Sequence, residues 1–148
     1  MSPAVYSASS PSAASTTYTG ADTDLRTYVI EDNATIRENL LAMLEELVGI
    51  RRAGFAEREQ DGSAWLAAHP AQWDLAIVDI FLKQGSGFGV LKACAQRRPE
   101  QKVVVLSNYA TPDVQRRCRA LGADAVFDKS TDIDDLIDFC LQLREEAT

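Results

Sequence analysis

The sequence is poor in the residues from which many functions are built. It holds a single histidine, His69, and three cysteines, Cys94, Cys118 and Cys140, with no CxxC pair and no histidine partner. A zinc centre or a redox dithiol needs such groupings, so both are excluded. The cysteines read as small core residues in a reducing compartment, and His69 as a surface residue of a turn. No apolar run approaches the roughly 20 residues that span a bilayer, and the N-terminus carries neither the basic cluster nor the apolar stretch of a secretory signal. The expectation is a cytoplasmic protein without membrane contact. Basic residues are also in the minority. A formal net charge of −7 opposes binding to a phosphate backbone and predicts no nucleic-acid partner. With 148 residues there is room for one domain with a proper core and not comfortably for two, so no attached output domain is expected.

What is present divides in two. Residues 1–24 are nearly all Ser, Ala, Thr, Pro, Tyr and Gly, with Asp22 and Asp24 as the only charges. Such a stretch cannot bury enough apolar surface to offset the entropy of ordering it, so a disordered tail is expected, with Tyr6 and Tyr18 as the contacts of a docking arm if it has one. Residues 25–148 have the texture of a folded domain. Strands are expected at Arg26–Ile30, Ile50–Ala56, Asp74–Asp79, Lys102–Ser107 and Ala125–Asp128; the third and fourth are apolar between their end residues, as strands buried on both faces are. Arg51 and Arg52 mark the second as a sheet edge.

Helices are expected between the strands. The first runs from about Ala34 to Val48, with Ile36, Leu40, Leu44, Leu47 and Val48 at helical spacing and Gly49 after it. The second starts at Asp61 or Ser63 and stops at His69-Pro70; the third covers about Phe88 to Arg97. The fourth opens at Thr111-Pro112 and closes at Leu121-Gly122, and Thr131-x-x-Asp134 resembles a capping box opening the fifth. Strict alternation of strand and helix implies (βα)5, a doubly wound five-stranded parallel sheet, for which the order 2-1-3-4-5 is common.

That order places a set of polar residues at one edge. The first strand ends in Glu31-Asp32, the third in Asp79, the fourth in Ser107, and the fifth delivers Lys129. Neighbouring strands lie about 4.8 Å apart, so these side chains converge on the rim where open α/β sheets bind ligands. Three carboxylates so close repel one another unless a hard divalent cation sits among them, and Mg2+ prefers a few carboxylates with bridging phosphate. A lysine opposite the acids suits a phosphoryl group, and a serine hydroxyl can donate to one. Together these groups form a site for carboxylate attack on phosphorus.

These residues resemble the receiver domain of two-component response regulators, over about residues 25–146. Glu31-Asp32 match its acidic pair, Asp79 its phosphorylated aspartate, Gly87 its loop glycine, Ser107 its Ser/Thr and Lys129 its lysine. The resemblance implies a flavodoxin/CheY-like fold and a switch that takes part in its own phosphorylation and hydrolysis without being an enzyme in the usual sense. A histidine kinase or histidine phosphotransfer protein would donate the phosphoryl group to Asp79. Glu31, Asp32, Asp79 and the backbone carbonyl of Phe81 would ligate Mg2+. Phosphorylation would draw Ser107 inward, let Phe127 swing into the vacated space, and alter the surface of the fourth helix, fifth strand and fifth helix for a downstream protein target.

Departures from the family pattern are Lys83 where a proline is common, Ser130 where a cis proline often follows the lysine, and Phe127 where tyrosine is commoner. Phe81, Asn108 and Tyr109 are expected to flank the site, the two aromatics slowing the water that hydrolyses phosphoaspartate. Arg116, Arg117 and Arg119 on the fourth helix, and Asp132, Asp134, Asp135 and Asp138 on the fifth, suggest a homodimer by cross-pairing. The alternatives are a relay intermediate or phosphate sink, a phosphorylation-independent scaffold, a dehalogenase-type phosphatase and a flavodoxin-like binding module. The phosphatase would want an acid where Phe81 stands, and the flavodoxin-like module a phosphate loop where Glu31-Asp32 stand.

Overall fold

Strands buried on both faces and helices with one apolar stripe sort this chain into three layers. A computed structural model describes residues 24–146. The strands are β1 (Arg26–Ile30), β2 (Arg51–Ala56), β3 (Leu75–Val78), β4 (Lys102–Ser107) and β5 (Ala125–Asp128). The helices between and after them are α1 (Ala34–Leu47), α2 (Glu59–Ala68), α3 (Gly87–Ala93), α4 (Pro112–Ala120) and α5 (Ile133–Glu146). All strand pairs are parallel, in the order β2-β1-β3-β4-β5. The expected topology therefore holds, and β3, buried along its whole length, is its centre.

Alternation along β4 shows how the two cores form. Val103 and Val105 point into one cluster with Leu66 of α2, Val90 and Leu91 of α3, and Cys118 of α4. Val104 and Leu106 point into the other, with Leu40, Leu41 and Leu44 of α1 and Leu136 and Cys140 of α5. All three cysteines are free and buried, as expected. Helix α4 buries only Cys118 fully. At the edge, Arg52 of β2 pairs with both Glu38 and Glu45 of α1, which keeps that strand's charges on the surface.

Several boundaries differ from the sequence expectation. Helix α2 begins at Glu59, before Asp61. Helix α3 ends at Ala93, short of Arg97, because the Arg97 guanidinium is drawn off to the carbonyls of Cys94, Gln101 and Gly122 and to Asp124. The capping box at Thr131 does not form: α5 starts at Ile133, the Thr131 hydroxyl donates to Asp132, and the Asp132 carboxylate accepts from the Asp128 amide. His69 is half-buried, stacked on Trp65 with Nδ1 against the Trp65 carbonyl. The tail expectation falls on residues 1–23, outside the described residues; Asp24, which it also included, pairs with Arg51 at 3.3 Å.

Leu136 is wholly buried between α5 and the sheet. Leu136→Ala should destabilise the fold by about 2–5 kcal/mol, read as a lowered urea midpoint with an unchanged slope.

Candidate functional site

Register brings the polar residues to one level. Ile30 of β1 pairs with Val78 of β3, so the residues that follow them, Glu31 and Asp79, emerge side by side. Ser107 pairs with Asp128, so Lys129 leaves β5 at the same rim. Both inner acids are buried, with Glu31 4% and Asp79 7% exposed. Carboxylate oxygens of Glu31, Asp32 and Asp79 all lie within 4.8 Å of one another. The Lys129 ammonium bridges two of them, with Nζ 2.5 Å from Glu31 Oε1 and 3.1 Å from Asp79 Oδ2.

Backbone amides hold the remaining oxygens. Phe81 N donates to Asp79 Oδ1 at 3.2 Å, Asn33 N to Glu31 Oε2 at 3.1 Å, and Lys83 N to Asp32 Oδ2 at 2.6 Å. Gly87 permits this closeness, since a Cβ there would strike the Asp79 carbonyl oxygen and Ile80 Cα. Its amide donates to the Ile80 carbonyl at 3.0 Å, which seats α3 against the end of β3.

Burial pushes the Asp79 carboxyl above its ordinary range; the Lys129 charge opposes this and the Glu31 charge adds to it. Burial pulls Lys129 down, but its hydrogen bond to Glu31 and the charges of Asp79 and Glu31 outweigh that, so the ammonium is held above its usual value. Three carboxylates face one ammonium, so when all are charged the cluster carries an excess of two negative charges, which a divalent cation would balance. The all-oxygen donor set, with two of its residues buried, fits a hard cation such as Mg2+.

The flanking residues are placed as follows. Ser107 is fully buried, and its hydroxyl accepts from the Tyr109 amide at 3.2 Å. Phe81 and Tyr109 are 50% and 63% exposed and meet edge-on across the rim, ring centroids 5.3 Å apart. Asn108 is exposed and lines a hollow of about 340 Å³ with Ile36, Met43, Lys129 and Ile133. The peptide bond before Ser130 is trans, and Ser130 bonds back to Asp128 Oδ1.

The structure does not bring Phe127 to the site. Phe127 pairs in register with Leu106 and packs in the α1/α5 core, edge-on to Phe139. Ser107 is one residue on from Leu106 and so faces the other side of the sheet. A swing of Phe127 into space vacated by Ser107 is therefore not available. Val126 is the β5 side chain on the α4 face. Nor are the α4 arginines all free for a partner. Arg116 pairs with Asp113 of its own helix, and the Arg117 guanidinium lies 3.9 Å above the Phe88 ring.

Two participants escaped the sequence reading. Arg37 of α1 is buried and donates to the Glu31 carbonyl at 2.8 Å and to Glu57 at 3.0 Å, with its guanidinium over Phe55. Its spacing from Leu40, Leu41 and Leu44 put it on the buried stripe, a signal that was there to be used. Glu59 binds the loop after Asp79, and no motif announces it.

Comparison with known proteins agrees with this geometry. The family model of the response regulator receiver domain matches residues 27–140. The chain is similar to the transcriptional regulatory protein PdtaR of Mycobacterium tuberculosis, 32% identical over 82% of this chain and 58% of that protein. It is also similar to the acid tolerance regulatory protein ActR of Rhizobium meliloti, 29% identical over 82% of this chain and 63% of that protein. It spans less than two thirds of the length of the curated relatives it matches. Among solved structures, the receiver domain of NarL from Mycobacterium tuberculosis superposes with a TM-score of 0.71 at 19% identity, covering 82% of this chain and 97% of that one. Among the described residues no helix is long and apolar enough to cross a membrane.

With its pKa held above the ordinary 3.8 in the fold, an ionised Asp79 favours the unfolded chain. Its effect is absent well below that value, where both states are protonated, and grows unfavourable as pH rises through the folded pKa. Asp79→Asn should therefore melt higher than the unsubstituted protein at neutral pH without divalent cations, with the gap closing towards pH 4, as followed by circular dichroism.

Proposed function

This chain belongs to the response regulator receiver domain family, and we propose that it is a phospho-acceptor switch with Asp79 as the acceptor. The observation that carries this is the Lys129 ammonium bridging Glu31 and Asp79 at 2.5 and 3.1 Å. A histidine kinase or histidine phosphotransfer protein is the donor. An Asp79 carboxylate oxygen attacks the phosphorus of phosphohistidine, the new O–P bond forms as the N–P bond breaks, and the imidazole leaves with the electron pair. Lys129 faces the charge that gathers on the phosphoryl oxygens, and the amides of Phe81 and Lys83 keep Asp79 and Asp32 oriented. Glu31, Asp32, Asp79 and the Phe81 backbone carbonyl would hold Mg2+, whose charge, when bound, neutralises phosphoryl oxygens.

Transmission runs through Ser107. Its hydroxyl accepts from the Tyr109 amide, so turning it to donate to a phosphoryl oxygen releases the loop that leads into α4. The surface of α4, β5 and α5 then changes for a downstream protein partner, with no aromatic swing at Phe127. On this reading residues 25–148 act as a receiver domain in the cytoplasm. Onward relay of the phosphoryl group from the same aspartate is the second reading, favoured by the exposed rim at Phe81 and Tyr109.

Incubation with acetyl phosphate and Mg2+ should add one phosphoryl group by intact mass, and Asp79→Ala should abolish the gain. An unchanged gain in that variant would reject Asp79 as the acceptor. On the same proposal the edge-on Phe81–Tyr109 pair hinders the water that attacks phosphoaspartate, while leaving the rim open to a larger partner. Replacing both with alanine should speed phosphate release about tenfold, roughly 1.4 kcal/mol of barrier; equal or slower release would remove their shielding role.

A further inference from the structure

The loop that leaves β3 carries two backbone donors of the site, the amides of Phe81 and Lys83. Nothing in its own composition stiffens it. Residues 80–87 read Ile-Phe-Leu-Lys-Gln-Gly-Ser-Gly, with two glycines and no proline. Its order must come from outside, and the structure shows one residue that supplies it. Glu59, the first residue of α2, accepts from the Ser86 amide through Oε1 at 2.7 Å. Its own amide donates to the Gln84 carbonyl at 3.2 Å. One residue thus grips the loop twice, just after the point where Lys83 grips Asp32. The neighbouring acids do something else: Glu57 pairs with Arg37, and Asp61 with Arg58.

Two glycines make room for this carboxylate. At Gly85, φ +87 requires glycine in any case, and a Cβ there would also meet Glu59 Cβ and Oε1. Gly89 has no such backbone need. It lies inside α3, where glycine disfavours the helix by roughly 1 kcal/mol relative to alanine, yet a Cβ there would run into the Glu59 carboxylate. Helix α3 forgoes propensity where the carboxylate needs the space. Glu59, Gly85 and Gly89 read as one device.

We infer that Glu59 is a positioning residue. It braces residues 84–86 so that the Lys83 amide holds the Asp32 carboxylate towards Glu31 and Asp79, and in this way it sets the affinity of the acidic cluster for a divalent cation. The inference rests on the reading of that cluster as a Mg2+ site. It predicts an effect on the cation from a residue that does not touch it.

The test uses the full chain, unphosphorylated, with MgCl2 titrated by calorimetry and amide exchange followed by NMR. Glu59→Ala should weaken Mg2+ binding about threefold to tenfold, the size of one backbone hydrogen bond, and should speed exchange at Ser86 and Lys83. Glu59→Gln keeps an oxygen that accepts the same bond and should stay within about twofold of the unsubstituted protein. Gly89→Ala attacks the clamp from the opposite side. It should weaken Mg2+ binding as Glu59→Ala does, although alanine favours the helix, so a loss there cannot come from weakened α3. Unchanged Mg2+ affinity in both alanine variants, unchanged exchange at Ser86, or an equal loss in Glu59→Gln and Glu59→Ala would each overturn the brace. Failure of the unsubstituted chain to bind Mg2+ is a separate result, and overturns the cation-site reading on which the inference stands.

Discussion

Two buried carboxylates standing side by side at the end of a parallel sheet are tolerable only if something positive lies between them. In this chain that is the Lys129 ammonium, held between Glu31 and Asp79. The residues that satisfy this contact come from β1, β3 and the end of β5, with β4 between the last two. The sheet order is therefore what brings the acids and their counter-charge to one rim. Glycine at position 87, the amides of Phe81 and Lys83, and the Arg37 grip on the Glu31 carbonyl all preserve the same arrangement. The ammonium also leaves the cluster short of neutrality, so it readies the site for a cation without replacing one.

The architecture was largely legible in the sequence because its signals are local. Apolar runs such as Val103-Val104-Val105-Leu106 and helical stripes such as Leu40, Leu44 and Val48 depend on nearest neighbours in one element, although Ile36 and Leu47, read on the same stripe, are exposed. The convergence of Glu31, Asp32, Asp79 and Lys129 followed from the strand order alone. What the sequence concealed depends on which face a residue takes and on contacts between distant loops. Phe127 lies on the wrong face for the role the resemblance implied, as counting alternation from Ser107 and its register partner Asp128 shows. Arg37 hid because arginine on a helix reads as a surface charge, although its spacing put it on the buried stripe. Glu59 could not be found at all, since its partner is the backbone of residue 86, which a side-chain motif does not record. Helix ends were missed where a side chain competes with the helix, as Arg97 does at the end of α3 and Asp132 at the start of α5.

The helices are held to the sheet unequally. On one side α1 and α5 bury leucines in a continuous layer around Val104, Leu106 and Phe127. On the other side α4 contributes only Cys118 as a fully buried residue, and the Arg117 ring contact with Phe88 is a surface tie to α3. The loop entering α4 is fastened to the site through the Ser107 hydroxyl and the Tyr109 amide. The site is thus connected to a helix in which Cys118 is the one fully buried residue.

That shallow seating has a consequence for energy transfer through the molecule. If α4 shifts with the state of the site, as proposed above, a helix that fully buries only Cys118, with Val114 partly buried beside it, has few apolar contacts to break. A more deeply embedded helix would resist any such shift with the full cost of exposing its apolar side chains.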